Sequence, residues 1–236
     1  MAAADTQKKE EAVTVIEAVN DFVQKNRKIL FIALIAIIAA LATFITVVTV
    51  RENLQEKALS QVDEFSRRYE AVRIESYSDY TDDPYLVSRM GEIAVLLTNI
   101  ESFAARNSGF AAARAYGLAA GIHWDQGNFD EAERAWLDAA KAAGKAYLAP
   151  VSLYNAAVAA EERGDIEAAI AHYSSALEHG RVFPSAVRAQ FSIGRLEESR
   201  NRKDAALEAY RNVLNNWPND PLWPNLAQSR ILALSE

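Results

Sequence analysis

Three stretches of this chain align without a gap: Gly127-Asn-Phe-Asp-Glu-Ala-Glu-Arg-Ala-Trp-Leu-Asp-Ala139, Gly164-Asp-Ile-Glu-Ala-Ala-Ile-Ala-His-Tyr-Ser-Ser-Ala176 and Asn201-Arg-Lys-Asp-Ala-Ala-Leu-Glu-Ala-Tyr-Arg-Asn-Val213. Ala132, Ala169 and Ala206 lie 37 residues apart, as do Trp136, Tyr173 and Tyr210, and Ala139, Ala176 and Val213. Upstream, the small residues Ala120, Ala157 and Gly194 keep the same step. A period of this size is the signature of a repeat architecture. Small residues let two antiparallel helices approach closely, and the aromatic fills the space against the next pair. Gly or Asn ends the first helix of each pair because it tolerates a left-handed cap.

The pattern predicts helix pairs at 110–126/129–143, 147–163/166–180 and 185–200/203–216. A last helix, 222–234, follows Pro218, Pro221 and Pro224 and caps the open end. Such arrays need a cap, because each pair buries its apolar face only against a neighbour. Composition agrees: the 236 residues hold 44 Ala but only 9 Gly and 6 Pro. Those breakers are too few for the many turns of an all-β fold. The pairs resemble the tetratricopeptide repeat, whose pattern is G-x-[YF]-x-x-A-x-x-x-[YF]-x-x-A. The family's period is 34, and the longer step here is expected in the connections, near Pro150, Pro184 and Pro218.

From Ile29 to Val50 no residue is charged, and only Thr43, Thr46 and Thr49 are polar. As a helix this stretch is about 33 Å long, enough for a hydrocarbon core of about 30 Å. Lys25, Arg27 and Lys28 precede it directly. That bias places the N-terminus in the cytoplasm and the bulk of the chain outside. The competing reading is a signal peptide cleaved after Ala42 in Ala40-Leu41-Ala42. Against it, eight more uncharged residues follow Ala42 and 28 residues precede the span. Val15, Ile16, Val19, Phe22 and Val23 make residues 9–25 a short amphipathic helix, which either lies in the headgroup layer, docks a cytoplasmic partner or simply leads into the span.

Leu54, Ala58, Val62, Phe65, Tyr69 and Val72 form one apolar stripe beyond the span. Leu86, Met90, Ile93, Leu97 and Ile100 form another, after the acidic turn Thr81-Asp82-Asp83-Pro84. Two readings stand: a coiled-coil stem for a homo-oligomer, or a degenerate first pair packed on the array. The expected fold is all-α, an N-terminal transmembrane helix followed by an α-solenoid of tetratricopeptide-like pairs. Its parts are a cytoplasmic segment 1–28, the span 29–50, a stem or degenerate pair 51–109, and the array with its capping helix 110–236.

Chemistry is sparse. With 32 acidic against 25 basic residues and a net charge of −7, the chain lacks the basic face a nucleic-acid binder needs. Without Cys it has no disulfide, thiol nucleophile or lipid-modified N-terminal Cys. His123, His172 and His179 follow no metal-binding spacing, so no metal and no cofactor are expected. No Gly-rich phosphate loop and no catalytic cluster is present. The carboxylate pairs Glu161-Glu162 and Glu197-Glu198, at helix ends, read as solvated surface. An enzyme is not expected.

What such an array offers is a groove lined by the first helix of each pair. Its candidates are Arg114, Trp124, Tyr154, Asn155, Val158, Arg188, Phe191 and Arg195, a mixture suited to an extended peptide or a partner helix. Tyr154 and Phe191 read equally well as packing between pairs. The family's carboxylate-clamp subtype, which grips chaperone tails, needs Lys and Asn where this chain has Gly117 and Gly121, although Asn155 matches.

In the order of its parts the chain resembles the bacterial ancillary subunit of the Sec translocon, a single-span inner-membrane protein with a periplasmic tetratricopeptide-like domain. Locally, Phe22-Val-Gln-Lys-Asn-Arg-Lys28 is similar to that family's aromatic-x-x-x-Asn-Gly-Lys before its span, with Arg27 in place of Gly. Phe103-Ala-Ala-Arg-Asn107, followed by Ala111 to Ala120, is similar to the helix leading into its first full pair. The resemblance implies a non-enzymatic partner of the translocon and of a membrane-anchored periplasmic prolyl isomerase or other chaperone. The rival reading is a scaffold that assembles an envelope or cell-division complex by self-association.

Overall fold

The computed structural model describes the backbone of residues 2–73, 84–180 and 183–236, and the side chains of 20, 22–73, 86–180 and 183–236. The acidic turn at 81–83 and the side chains of Val15, Ile16 and Val19 lie outside those residues. Among the described residues all regular structure is helical: α1 Ala2–Val72, α2 Pro84–Arg106, α3 Gly109–Asp125, α4 Phe129–Ala143, α5 Leu148–Glu162, α6 Ile166–Leu177, α7 Ala186–Ser199, α8 Lys203–Asn216 and α9 Trp223–Ser235. They fall into two compact units, 1–56 and 57–236, and α1 contributes to both.

In the first unit the helix leaves Ile29, Phe31, Ile32, Phe44 and Ile45 exposed. None of its most apolar window is covered by protein, and it is long and apolar enough to cross a membrane. Thr43 and Thr46 donate to the carbonyls of Ala39 and Ala42, so their hydroxyls are satisfied within the helix.

The second unit is a stack of helix pairs, each helix touching the next in sequence from α2 to α9. The three first helices α3, α5 and α7 end alike. Gly127, Gly164 and Asn201 adopt φ of 75°, 78° and 58°. The next residue's N–H closes on the carbonyl five back: Asn128 on His123, Asp165 on Ala160 and Arg202 on Glu197, each at 2.9 Å. This is the double-bonded left-handed cap, repeated three times, and it satisfies carbonyls a free helix end would leave open.

Ala120, Ala157, Ala132, Ala169, Ala206, Ala139, Ala176 and Val213 are completely buried where helices cross. The residues between are aromatic: Tyr173 and Tyr210 are each 1% exposed. A first apolar cluster joins Val62, Phe65 and Tyr69 of α1 to Ile93, Leu96, Ile100 and Phe103 of α2 and to Ala115, Ala119 and Ile122 of α3. Phe65 meets Phe103 edge-on at 5.7 Å. Most of both stripes beyond the span therefore turns inward as a layer on α3, while Leu54 and Met90 stay exposed. At the far end α9 covers Val187, Tyr210 and Val213 with Ala227, Trp223 and Ile231.

Candidate partner-binding groove

The 37-residue step carries polar groups as well as apolar ones. The Tyr173 hydroxyl donates to Glu161 Oε1 at 2.6 Å, and the Tyr210 hydroxyl to Glu198 Oε2 at 2.9 Å. In each case the carboxylate closes the first helix of a pair and the phenol sits on the second. Each carboxylate also takes a guanidinium from the next layer, Glu161 from Arg195 of α7 and Glu198 from Arg230 of α9. Burial pushes both phenols up, Tyr210 to about 12 and Tyr173 further. The hydrogen bond from Arg230 holds Glu198 below the usual carboxylate range.

A second series ties the layers along another edge. Arg163, at the end of α5, reaches Asp130 of α4 at 3.0 Å, and Arg200, at the end of α7, bonds Glu167 of α6. Arg163 also donates to the buried Glu133 at 2.7 Å, whose other oxygen lies 2.9 Å from His172 Nε2. The sequence predicts solvated surface at all four carboxylates, and the structure corrects this: Glu161 and Glu198 face arginines of the next layer, Glu197 is buried, and only Glu162 of that set is exposed. A carboxylate at a helix end faces solvent in a lone helix but the neighbouring layer in a stack.

The pair α3/α4 departs from this series at four positions at once. Where later pairs have Tyr154 and Phe191 it has Gly117, and where they have Val158 and Arg195 it has Gly121. Trp124 stands for Glu161 and Glu198, and Trp136 for Tyr173 and Tyr210. A Cβ on Gly117 would lie 3.2 Å from the Trp136 ring, so the indole occupies space that a side chain there would take. A Cβ on Gly121 would meet nothing within 4 Å. The result is an open cavity of about 380 Å³. Its walls are Trp124 and Trp136, Asn155 and Val158 of α5, and Tyr69, Glu70 and Arg73 at the end of α1. At the rim Asp125 accepts from the Tyr69 hydroxyl at 2.7 Å and pairs with Arg73 Nε at 3.0 Å.

Of the groove candidates, Trp124, Asn155 and Val158 meet in this cavity. Phe191 and Arg195 line a second one of about 470 Å³ with Glu198, Tyr210 and Arg230. Phe191 packs between Tyr210 at 5.2 Å and Trp223 at 5.1 Å. Tyr154 is buried against Tyr173 at 5.2 Å and Phe183 at 6.1 Å, with the Arg188 guanidinium 5.6 Å from its ring. Arg114 pairs with Asp63 at 2.8 Å and lies outside both cavities. Gly117, Gly121 and Trp136 were not among the candidates, although the break of the two glycines with the 37-residue pattern is visible in the sequence. Tyr69, Glu70 and Arg73 carry no such signal, because only the docking of α1 on α3 brings them there. His123 Nε2 faces Glu101 at 3.0 Å, and the described residues include no group of three side chains able to hold a metal.

The family model of the tetratricopeptide repeat matches residues 97–147 and 154–221. A TPR repeat-containing protein of Treponema pallidum (strain Nichols) is 31% identical, across 93% of this chain and 94% of its own length. Among solved structures the chain is similar to the first TPR of Spaghetti (RPAP3) bound to HSP90 peptide SRMEEVD, with 22% identity and a TM-score of 0.42 over 52% of this chain and 94% of that one. It is also similar to BtubC (BKLC) from P. vanneervenii, with 18% identity and a TM-score of 0.47 over 75% of this chain and 82% of that one.

Proposed function

The chain belongs to the tetratricopeptide-repeat family, and from that premise we propose that it is a membrane-anchored, non-enzymatic protein-binding subunit. Its task is that of an accessory of the Sec translocon, linking exported chains to periplasmic chaperones. The observation that carries this reading is the union in one chain of an uncharged helical stretch, Ile29 to Val50, with a helix-pair array that keeps an open, aromatic-walled cavity. The stretch tethers and the array binds. Lys25, Arg27 and Lys28 support a cytoplasmic N-terminus and a periplasmic array on the inner membrane of a bacterium.

Photo-crosslinkers at Val158 and Phe191 of the full chain, used in native membranes, test the partners. The expected products contain a translocon subunit, a membrane-anchored prolyl isomerase or another periplasmic chaperone; recovery of none of these overturns the reading. Protease added to intact spheroplasts should digest the array and spare residues 1–28. The reverse pattern overturns the orientation.

A scaffold acting by self-association is the second reading, and the surface that favours it is on α2. The stripe Val62, Phe65 and Tyr69 is buried within the chain, whereas Val87, Met90 and Val95 are exposed beside a groove of about 710 Å³. Light scattering of the full chain in detergent separates the two. An oligomer dissolved by changing these three residues to Ser favours the scaffold, and an unaffected mass removes its support.

A further inference from the structure

The later layers of the array already contain one arrangement twice: a ring on the second helix, a carboxylate, and an arginine reaching in from the following layer. Glu161 joins the Tyr173 hydroxyl to Arg195, and Glu198 joins the Tyr210 hydroxyl to Arg230. In the first pair the ring is Trp136, a second indole, Trp124, replaces the carboxylate, and the residue equivalent to Arg195 is Val158. The chain thus builds an aromatic station here with no arginine of its own from the following layer. Gly117 and Gly121 keep it open, and the cavity of about 380 Å³ is the result.

We propose that this cavity seats a basic side chain, arginine or lysine, presented by an extended segment of a partner protein. The inference rests on the protein-binding reading above and adds the chemistry the binding site selects. Indole faces are the best aromatic partners for a cation. The acid that the station lost in Trp124 returns from α1: Glu70 lies exposed at the cavity, its charge felt by Arg73 but its oxygens in no direct hydrogen bond or ion pair among the described residues. Asp125, by contrast, is already bonded to Tyr69 and to Arg73, the guanidinium that also lines the cavity, which leaves Glu70 as the carboxylate there whose oxygens hold no direct bond and only act on Arg73 from a distance. The Asn155 side chain, on the same wall, makes no hydrogen bond among the described residues, so its carboxamide is available to the segment's backbone. The volume suits one long side chain rather than a folded surface. The second unit as a whole holds 25 acidic and 19 basic residues, which favours a basic partner at longer range.

The test uses the full chain in non-ionic detergent with its four Trp labelled at the indole nitrogen, observed by NMR. The probes are N-acetyl-Gly-Gly-Xaa-Gly-Gly-amide with Xaa as Arg, Leu or Glu. The Arg peptide should shift the Trp124 and Trp136 signals, leave Trp217 and Trp223 in place, and bind at least about threefold more tightly than the Leu peptide. Gly121→Leu should abolish the shift, since it fills the open space on a helix that gains by losing a glycine. Glu70→Gln, an exposed change that keeps the fold, should weaken the Arg peptide about threefold and leave the Leu peptide unchanged. Equal or tighter binding of the Leu peptide overturns the proposal in favour of an apolar pocket. Tighter binding of the Glu peptide overturns it in favour of an anion site at Arg73, and silence of both indoles with all three peptides overturns it outright. If crosslinks from Phe191 still capture partners in the Gly121→Leu chain while the Arg preference fails, the seat is wrong and the protein-binding reading stands.

Discussion

At the level of single residues, Tyr210 and Glu198 set opposite limits to the pH range of the stack. Glu198 is held below its ordinary value of 4.5, chiefly by the hydrogen bond from Arg230. A carboxylate depressed by folding stabilises the fold above its ordinary value, and the contribution is lost as the pH falls through the lowered one. Tyr210 runs the other way, its value raised from 10.0 to about 12 by burial. Its contribution is complete below 10.0 and is lost as the pH rises through about 12. The melting temperature of the full chain in detergent should therefore fall on both flanks. Tyr210→Phe should cost about 1 kcal/mol at neutral pH through the lost hydrogen bond, and should flatten the alkaline fall between pH 10 and 12. Glu198→Gln should flatten the acid fall instead. An alkaline flank of unchanged slope in Tyr210→Phe would refute the assignment to this phenol.

Among the elements, the helix pairs follow from the 37-residue period, and two of their glycines have opposite roles. A Cβ on Gly194 of α7 would lie 2.6 Å and 2.7 Å from atoms of the Tyr210 ring, which is 1% exposed and tied to Glu198. Forcing that ring aside costs about 1–3 kcal/mol, more than the roughly 1 kcal/mol that Ala gains over Gly in a helix. Gly194→Ala should lower the melting temperature. Gly121→Ala meets open space and should raise it, with a gain of up to about 1 kcal/mol. If both substitutions raise it, the close approach at Gly194 is wrong. The same contrast explains what was legible in advance. Ala132, Ala169 and Ala206 marked the crossings, and Gly127, Gly164 and Asn201 the caps, because each is a local steric requirement that repeats. The bonds of Glu161 and Glu198 were hidden, because a carboxylate at a helix end has the same sequence signal whether water or an arginine faces it. The cavity was half legible. Gly117 and Gly121 announce it as exceptions to the period, whereas Glu70 joins it only through packing between distant segments.

For the whole molecule, an array in which each layer touches only its neighbours has stability that is close to a sum along its length. The capping helix α9 is then the place where local loss can be told from global loss. It covers Val187, Tyr210 and Val213, packs Trp223 on Phe191, and brings Arg230 to Glu198. Deleting residues 222–236 would uncover that cluster and leave Glu198 half-buried without its cation. The penalty falls on α7 and α8, of which α7 still rests on α6. Layers further back keep every contact they had, from the cluster of Val62, Ile93 and Ile122 to the Arg163–Glu133 bond. Amide hydrogen exchange on the full and shortened chains in detergent should therefore show protection lost across 186–216 and kept across 93–162. Uniform loss from α2 to α8 would mean that the array unfolds as one cooperative body, and a layer-by-layer account of its stability would fail.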